Sequence, residues 1–267
     1  MKKAVIIGGG EIGRKGTEYE TQKIDKEILY KCYNNFYVQN NMILVVCGNF
    51  NPEEIIEKIK GKITLSSKNK AKVIEVNEPE EINQKEIIAN MDVSIPIFTL
   101  GYKLKPIKEN KSKISLSLEI ILEILFGTSS ECYKELYEKG LIFENVSATY
   151  EYARDYAHIL IQGKTNDLKE TKKIIEEKIE KYKNNGISDD EFERAKRKIY
   201  GQYVREYNDV SIIAIMSISN YFRKIKPFEN IENYNLVTKQ YVEKTLKEAF
   251  NKGKMVESYV IPKKGNE

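Results

Sequence analysis

Histidine is the scarcest reactive side chain in this sequence, since His158 is the only one among 267 residues. A catalytic zinc ion usually takes three protein ligands, two of them often histidines, and keeps one open position. One histidine cannot supply that set, and Cys32, Cys47 and Cys132 stand apart without a Cys-x-x-Cys partner. The sequence therefore predicts no complete zinc site, no bound cofactor and a packed strand histidine at 158.

Other absences narrow the class of protein further. No apolar run reaches the roughly twenty residues of a membrane span, and the run after Met1 is too short for a secretion signal. An odd number of widely spaced cysteines among apolar neighbours predicts buried free thiols. The 44 basic and 40 acidic side chains nearly cancel and are interleaved, so there is no basic stripe for nucleic acid. We expect a cytoplasmic protein that binds neither nucleic acid nor membrane.

Serine chemistry is weakly supported by the same residues. A Ser-His-Asp triad would need His158 as its only base, with Asp155 and Ser147 nearby in sequence. No serine has the spacing of a nucleophile elbow, so this grouping is better explained by chance.

Hydrophobic periodicity predicts how the first part of the chain is organised. A helix is expected from Ile28 to Phe36, then a strand at 42–47, and Asn51 with Pro52 marks the start of a second helix. Residues 67–84 are polar and contain Pro79, which is typical of a linker.

Beyond the linker the pattern alternates between strand and helix periods. It predicts a strand at 87–104 interrupted near Pro96, helices at 112–126 and 130–139, a hairpin at 142–163, helices at 168–183, 189–206, 210–223 and 239–250, and a strand at 255–261. We expect Ser112 to cap the first of these helices, and Ser188 with Glu191 to form a capping box. This order favours an α+β domain, a largely antiparallel sheet covered on one face by helices.

The opening of the chain has a composition of its own. Residues 8–13, Gly-Gly-Gly-Glu-Ile-Gly, follow a strand pattern with the spacing of a dinucleotide-binding turn. The next residues are polar, and no second strand ends in a ribose-binding acid, so a plain turn is the better interpretation. Residues 1–28 resemble the start of peptidase E-like proteins, whose catalytic residues have no counterpart in this chain.

From residue 29 onward the sequence resembles the insulinase (pitrilysin) family of zinc peptidases. The segments that carry the resemblance, in the family's order, are 29–37 with 41–53, 98–102, 125–130 and 135–142. The resemblance implies that residues 29–66 are the end of a first, zinc-bearing domain and that 85–267 form a second, non-catalytic domain. It also implies a processing-protease-like architecture, in which two subunits or halves enclose a peptide chamber.

Two departures from the family limit what the resemblance implies about activity. The His-x-x-Glu-His zinc motif belongs to a part of the first domain that has no counterpart in this sequence. Active second domains commonly carry an Arg and a later Tyr that hold the substrate carbonyl, and these places fall at Tyr137 and near Phe143. Neither side chain can do that work, because tyrosine lacks the guanidinium and phenylalanine lacks the hydroxyl.

The resemblance implies a role in peptide binding beside a zinc-bearing partner subunit or domain. Tyr137, Phe143, Tyr150, Tyr152 and Arg154 are expected to cluster around a groove in the chamber wall. The alternative is that these aromatic residues are ordinary sheet residues, favoured in strands for packing. A second functional hypothesis is residual zinc-dependent peptidase activity completed by a partner.

Overall fold

The computed structural model describes residues 24–38, 41–62, 79–153 and 155–263. The chain divides into two compact units, Met1–Glu75 with Glu206–Lys224 and Val76–Arg205 with Ile225–Glu267. Most of the predicted linker, 67–84, and nearly all of the peptidase E-like opening, 1–28, lie outside the described residues. The predicted boundaries at 28, 66 and 84 therefore stay predictions.

All the described strands belong to the second unit, whereas the regular elements described in the first unit are helices. In chain order the elements are α1 (Lys26–Phe36), α2 (Pro52–Lys60), β1 (Glu86–Met91), β2 (Ile97–Leu104), α3 (Lys111–Phe126), α4 (Glu131–Glu138), β3 (Ser147–Tyr152), β4 (Ala157–Lys164), α5 (Leu168–Asn185), α6 (Asp189–Glu206), α7 (Val210–Arg223), α8 (Glu229–Tyr234), α9 (Lys239–Ala249) and β5 (Met255–Pro262). Among the described helices none is both long and apolar enough to cross a membrane.

Helix starts follow the local capping pattern at most positions. Asn51 Oδ1 accepts a hydrogen bond from the Glu53 amide at 2.9 Å, with Pro52 in the first helical position, as predicted. The predicted capping box is present, with Ser188 N donating to Glu191 Oε2 at 3.1 Å. The prediction for Ser112 was wrong: α3 begins one residue earlier, and the Ser112 hydroxyl donates to Asn230 Oδ1 at 2.6 Å.

Five strands form one sheet in the order β1-β5-β2-β4-β3. β1 runs parallel to β5, and the other neighbours are antiparallel, which confirms the largely antiparallel sheet. The stretch predicted as one strand, 87–104, is two strands that lie on either side of β5. The interruption near Pro96 thus marks a change of position in the sheet, from the edge strand β1 to β2.

Helices cover one face of this sheet, as expected. The covered face carries Phe98, Leu100 and Tyr102 of β2 beside Ile159 and Ile161 of β4, all at most 2% exposed. Helix α3 buries most of its residues, and α9 leads into Phe250, whose ring meets Tyr102 edge-on at 4.8 Å. The core of the second unit lies between the sheet and these helices.

The first unit contrasts with that core. Its described helices α1, α2 and α7 contain no buried residue. Residues 42–47, predicted as a strand, are extended but do not form a strand within the described chain. An extended segment is a β-strand only when it hydrogen-bonds to a neighbouring strand. The expectation of three buried thiols was wrong, because Cys32 on α1 is exposed and Cys47 is only partly buried. Cys132 is buried, as expected.

Candidate functional site

Tyr150 and Tyr152 lie on the helix-covered face of the edge strand β3. Tyr152 is 4% exposed, Tyr150 is half-buried, and their rings stack 6.2 Å apart. Their cross-strand neighbours on β4 are Ile159 and Ala157, both buried. Alternation along the strand thus places both rings under the helices, where they pack the sheet against α3.

The hydroxyl of Tyr150 belongs to a polar cluster that extends across the helix layer. It donates to Glu119 Oε1 at 2.9 Å, and Tyr203 donates to Glu119 Oε2 at 2.7 Å. Asn230 Nδ2 in turn donates to the Tyr203 hydroxyl at 3.4 Å. Burial, followed by the negative charge of Glu119, raises the pKa of Tyr150 well above its usual value. One carboxylate therefore joins β3, α3 and α6.

The remaining predicted site residues have different surroundings. Tyr137 is 57% exposed on α4 and stacks on Tyr133 at 5.9 Å, and Phe143 is 68% exposed. Arg154 lies outside the described residues. The four described residues do not line one groove, because two face the helix layer and two face solvent. Peptide binding by Tyr137 and Phe143 stays a prediction.

A different surface forms a concavity on the face of the sheet opposite Phe98 and Ile159, which we call the open face. Its volume is about 440 Å³, and its lining includes Gly101 and Lys103 of β2, His158 and Leu160 of β4 and Val256 of β5. Sequence reasoning treated His158 as a packed residue, yet it is only partly buried and lies on this open face. A glycine in the middle of an alternating strand was the signal available in the sequence.

Metal ligands are not grouped in the part of the chain that the structure describes. Within those residues no cluster of three or more His, Cys, Asp or Glu side chains is placed to hold a metal ion. The ring of His158 stacks on Tyr156 at 5.7 Å instead. This geometry gives no support to a nucleophile or zinc ligand at His158.

Large apolar side chains are exposed along the described residues of the first unit. They include Leu29, Tyr30, Tyr33, Phe36 and Tyr37 on or beside α1, Met42, Leu44 and Val46 in the extended segment, Ile56 on α2, and Val210, Ile215 and Tyr221 on α7. In the segment 42–47, exposed and partly buried side chains alternate as they would along a strand. We call this set the apolar surface of the first unit.

Comparison with known proteins gives a consistent family assignment. Residues 23–199 match the family described as "Peptidase M16 inactive domain". A protein from Bacillus subtilis (strain 168), described as the uncharacterized zinc protease YmfH, is 30% identical over 256 residues, which cover 93% of this chain and 59% of the relative.

Solved structures share the fold. A protein from Alicyclobacillus acidocaldarius described as an M16-like peptidase has a TM-score of 0.82 at 23% identity, over 92% of this chain and 60% of its own. A peptidase M16 inactive domain from Pseudomonas fluorescens has a TM-score of 0.73 at 18% identity, over 91% and 59%. The chain thus spans about 60% of the length of these relatives.

Proposed function

Since the chain belongs to the peptidase M16 family, through its inactive domain, we propose that it is the non-catalytic C-terminal domain of an insulinase-type metallopeptidase. Inactive domains of this family work with partner domains or subunits. In this proposal the chain supplies interface and peptide-binding surface, in the cytoplasm, to a partner that holds the zinc ion. The processing-protease-like arrangement of two parts around a peptide is part of the same proposal.

The observation that carries the proposal is the apolar surface of the first unit. Groups of large apolar side chains exposed to water often mark sites of protein interaction. Each large apolar side chain removed from water contributes roughly 1.5–3 kcal/mol, so covering even a few of them supports stable association. A unit whose described helices bury nothing gains its stability from what covers it.

The segment 42–47 indicates what kind of partner fits. Its alternating exposure is that of a strand, and a strand satisfies its backbone groups by pairing with a neighbouring strand. A partner that presents the edge of a sheet would pair with this segment, while the apolar side chains of α1 and α2 pack beside it.

The test is to co-express the chain with the part of the Bacillus subtilis relative that lies outside the aligned region. We expect a complex on size-exclusion chromatography, zinc bound to that complex, and hydrolysis of a fluorogenic peptide by the complex alone. Leu44→Glu and Ile215→Glu should each weaken association by about tenfold or more, because an unpaired charge would be buried. Leu236→Glu, at an equally exposed apolar residue of the second unit, should leave association unchanged.

The outcomes separate the two functional hypotheses. If this chain is non-catalytic, His158→Gln leaves the zinc content of the complex unchanged. Loss of zinc in that variant would instead support the hypothesis of a shared metal site completed by the partner. No complex in any mixture, or equal effects of Leu44→Glu and Leu236→Glu, would reject the interface.

A further inference from the structure

The second half of helix α6 has an exposed face that combines arginine with apolar side chains. We call this face the α6 surface; its members, all exposed, are Arg197, Tyr200, Gly201, Val204 and Arg205. We propose that the α6 surface is a docking site for an acidic amphipathic helix of a partner protein. The partner helix places an apolar side chain over Gly201 and a carboxylate at each of the two arginines.

Gly201 lies at the centre of the α6 surface, where no neighbour in the described chain accounts for a glycine. Glycine is among the least favourable residues in the interior of a helix. A Cβ atom at Gly201 would meet no atom of the described chain within 4 Å. Residues three and four positions apart are neighbours on a helix, so Arg197, Val204 and Arg205 surround the gap. The gap is therefore open to a side chain of another molecule.

The two arginines give the α6 surface its positive charge. The stretch that they bound contains no acidic residue, and its one lysine, Lys198, pairs with Glu123 at 2.7 Å. Arg197 Nε donates to the backbone carbonyl of Glu193 at 3.2 Å, and within the described residues neither arginine forms an ion pair with a carboxylate. Arginine binds carboxylates through two parallel hydrogen bonds. Charge complementarity therefore selects an acidic partner.

Tyr200 is held in place by contacts behind it. Its ring lies 4.6 Å from the ring of Tyr234 on α8, and the ammonium group of Lys196 lies 4.7 Å from the centre of the Tyr234 ring. Lys196 is 9% exposed and donates to the Val237 carbonyl at 3.0 Å. Tyr200 nevertheless remains 39% exposed. Tyrosine and arginine are enriched among the residues that dominate binding at interfaces, and a ring that is already fixed loses little conformational freedom on binding.

The spacing of the arginines indicates a helical partner. Arg197 and Arg205 lie eight positions apart on α6, which corresponds to about 12 Å along the helix axis. A helix packed nearly parallel to α6 can present two carboxylates at the same spacing, with an apolar residue midway between them. Side chains of one packed helix enter the grooves of the other, and the gap at Gly201 deepens the groove at the point where that apolar residue lies.

The experiment compares two fluorescein-labelled peptides of about 18 alanine and glutamine residues, long enough to form a helix. Both have leucine at the centre, and the residues four positions before and after it are glutamate in one peptide and glutamine in the other. Fluorescence anisotropy with the full chain should show the glutamate peptide binding at least about tenfold tighter, and added salt should reduce the difference. Arg197→Gln and Arg205→Gln should each remove most of this preference.

Gly201→Leu tests the gap without threatening the fold. It should weaken binding of the glutamate peptide by about tenfold, whereas its thermal midpoint should not fall, because leucine is a better helix former than glycine. Lys247→Gln is the matched charge control, since Lys247 is an exposed cation on α9 outside the α6 surface. This variant should bind both peptides as the unmodified chain does.

Three results overturn the proposal. They are equal affinity for the two peptides, equal losses in Arg197→Gln and Lys247→Gln, and unchanged peptide binding in Gly201→Leu. A DNA duplex of about 20 base pairs that binds more tightly than the glutamate peptide, and loses affinity in the arginine variants, would assign the α6 surface to nucleic acid instead. The titrations omit the zinc-bearing partner, so their outcome does not depend on that association.

Discussion

Replacing Glu119 with alanine removes the one acceptor that two tyrosine hydroxyls share. Tyr150 donates to Oε1 at 2.9 Å and Tyr203 to Oε2 at 2.7 Å, and Tyr203 is only 8% exposed. Hydrogen bonds to a charged group contribute roughly 1.5–3 kcal/mol each, and the half-buried carboxylate favours the lower end of that range. Alanine regains less than about 0.7 kcal/mol through its better helix propensity. The expected net loss is about 2.5 kcal/mol of unfolding free energy.

Glutamine at position 119 separates geometry from charge. Its amide oxygen can accept from one tyrosine, while its NH₂ group forces the other hydroxyl to turn and accept. We expect Glu119→Gln to cost about 1 kcal/mol, clearly less than Glu119→Ala. Glu138→Ala, at an exposed position of α4 whose contact with Lys134 is 3.9 Å long, should stay within about 0.5 kcal/mol of the unmodified chain.

Guanidinium denaturation at pH 7.5, followed by far-UV circular dichroism and by tyrosine fluorescence, measures these differences. Because the chain has 18 tyrosines and no tryptophan, the second signal reports on tyrosine environments directly. Tyr150→Phe or Tyr203→Phe should cost much less stability in the Glu119→Ala background than in the unmodified chain, because the acceptor is already gone. A loss below about 1 kcal/mol in Glu119→Ala, or fully additive double variants, would refute the shared-acceptor argument.

Tyr102, Cys132 and Gly186 each lead to a further expected outcome. Burial, and then the charge of neighbouring glutamates, raises the pKa of Tyr102. Its contribution to stability is therefore complete below about pH 10 and is lost as the pH rises above that value. The guanidinium concentration at the denaturation midpoint should thus be lower at pH 11 than at pH 9, and equal midpoints would contradict this. Burial also raises the pKa of the Cys132 thiol to about 12. In the native chain iodoacetamide should therefore label the exposed Cys32 and spare Cys132, as measured by mass spectrometry. Equal labelling rates at the two cysteines would disprove this expectation. Gly186 has φ +78°, and a Cβ there would lie 2.9 Å from a glutamate oxygen. In thermal melts Gly186→Ala should cost about 1–2 kcal/mol while Gly201→Ala costs nothing, and matching melts would count against the strain.

Local patterns were sufficient for much of the fold. Asn51 and the Ser188–Glu191 pair were identified correctly as caps because their partners lie two or three residues away. The hairpin of β3 and β4 and the strand β5 follow from alternation in short stretches of sequence. The family resemblance from residue 29 onward was likewise present in ordered sequence segments, and the family match to residues 23–199 confirms it.

Tertiary structure decided what depends on distant parts of the chain. β5 lies between β1 and β2, and its partner residues are more than 150 positions away in sequence, as in the pairing of Glu86 with Glu257. No local sequence pattern encodes a pairing over that separation. Ser112 donates to Asn230, 118 residues away, instead of capping α3. The aromatic residues of β3 fitted either face of the sheet by alternation alone, and the contact with Glu119 shows which face meets the helices. The sequence thus determined most of the elements and the family, whereas long-range packing determined which face of each strand is buried.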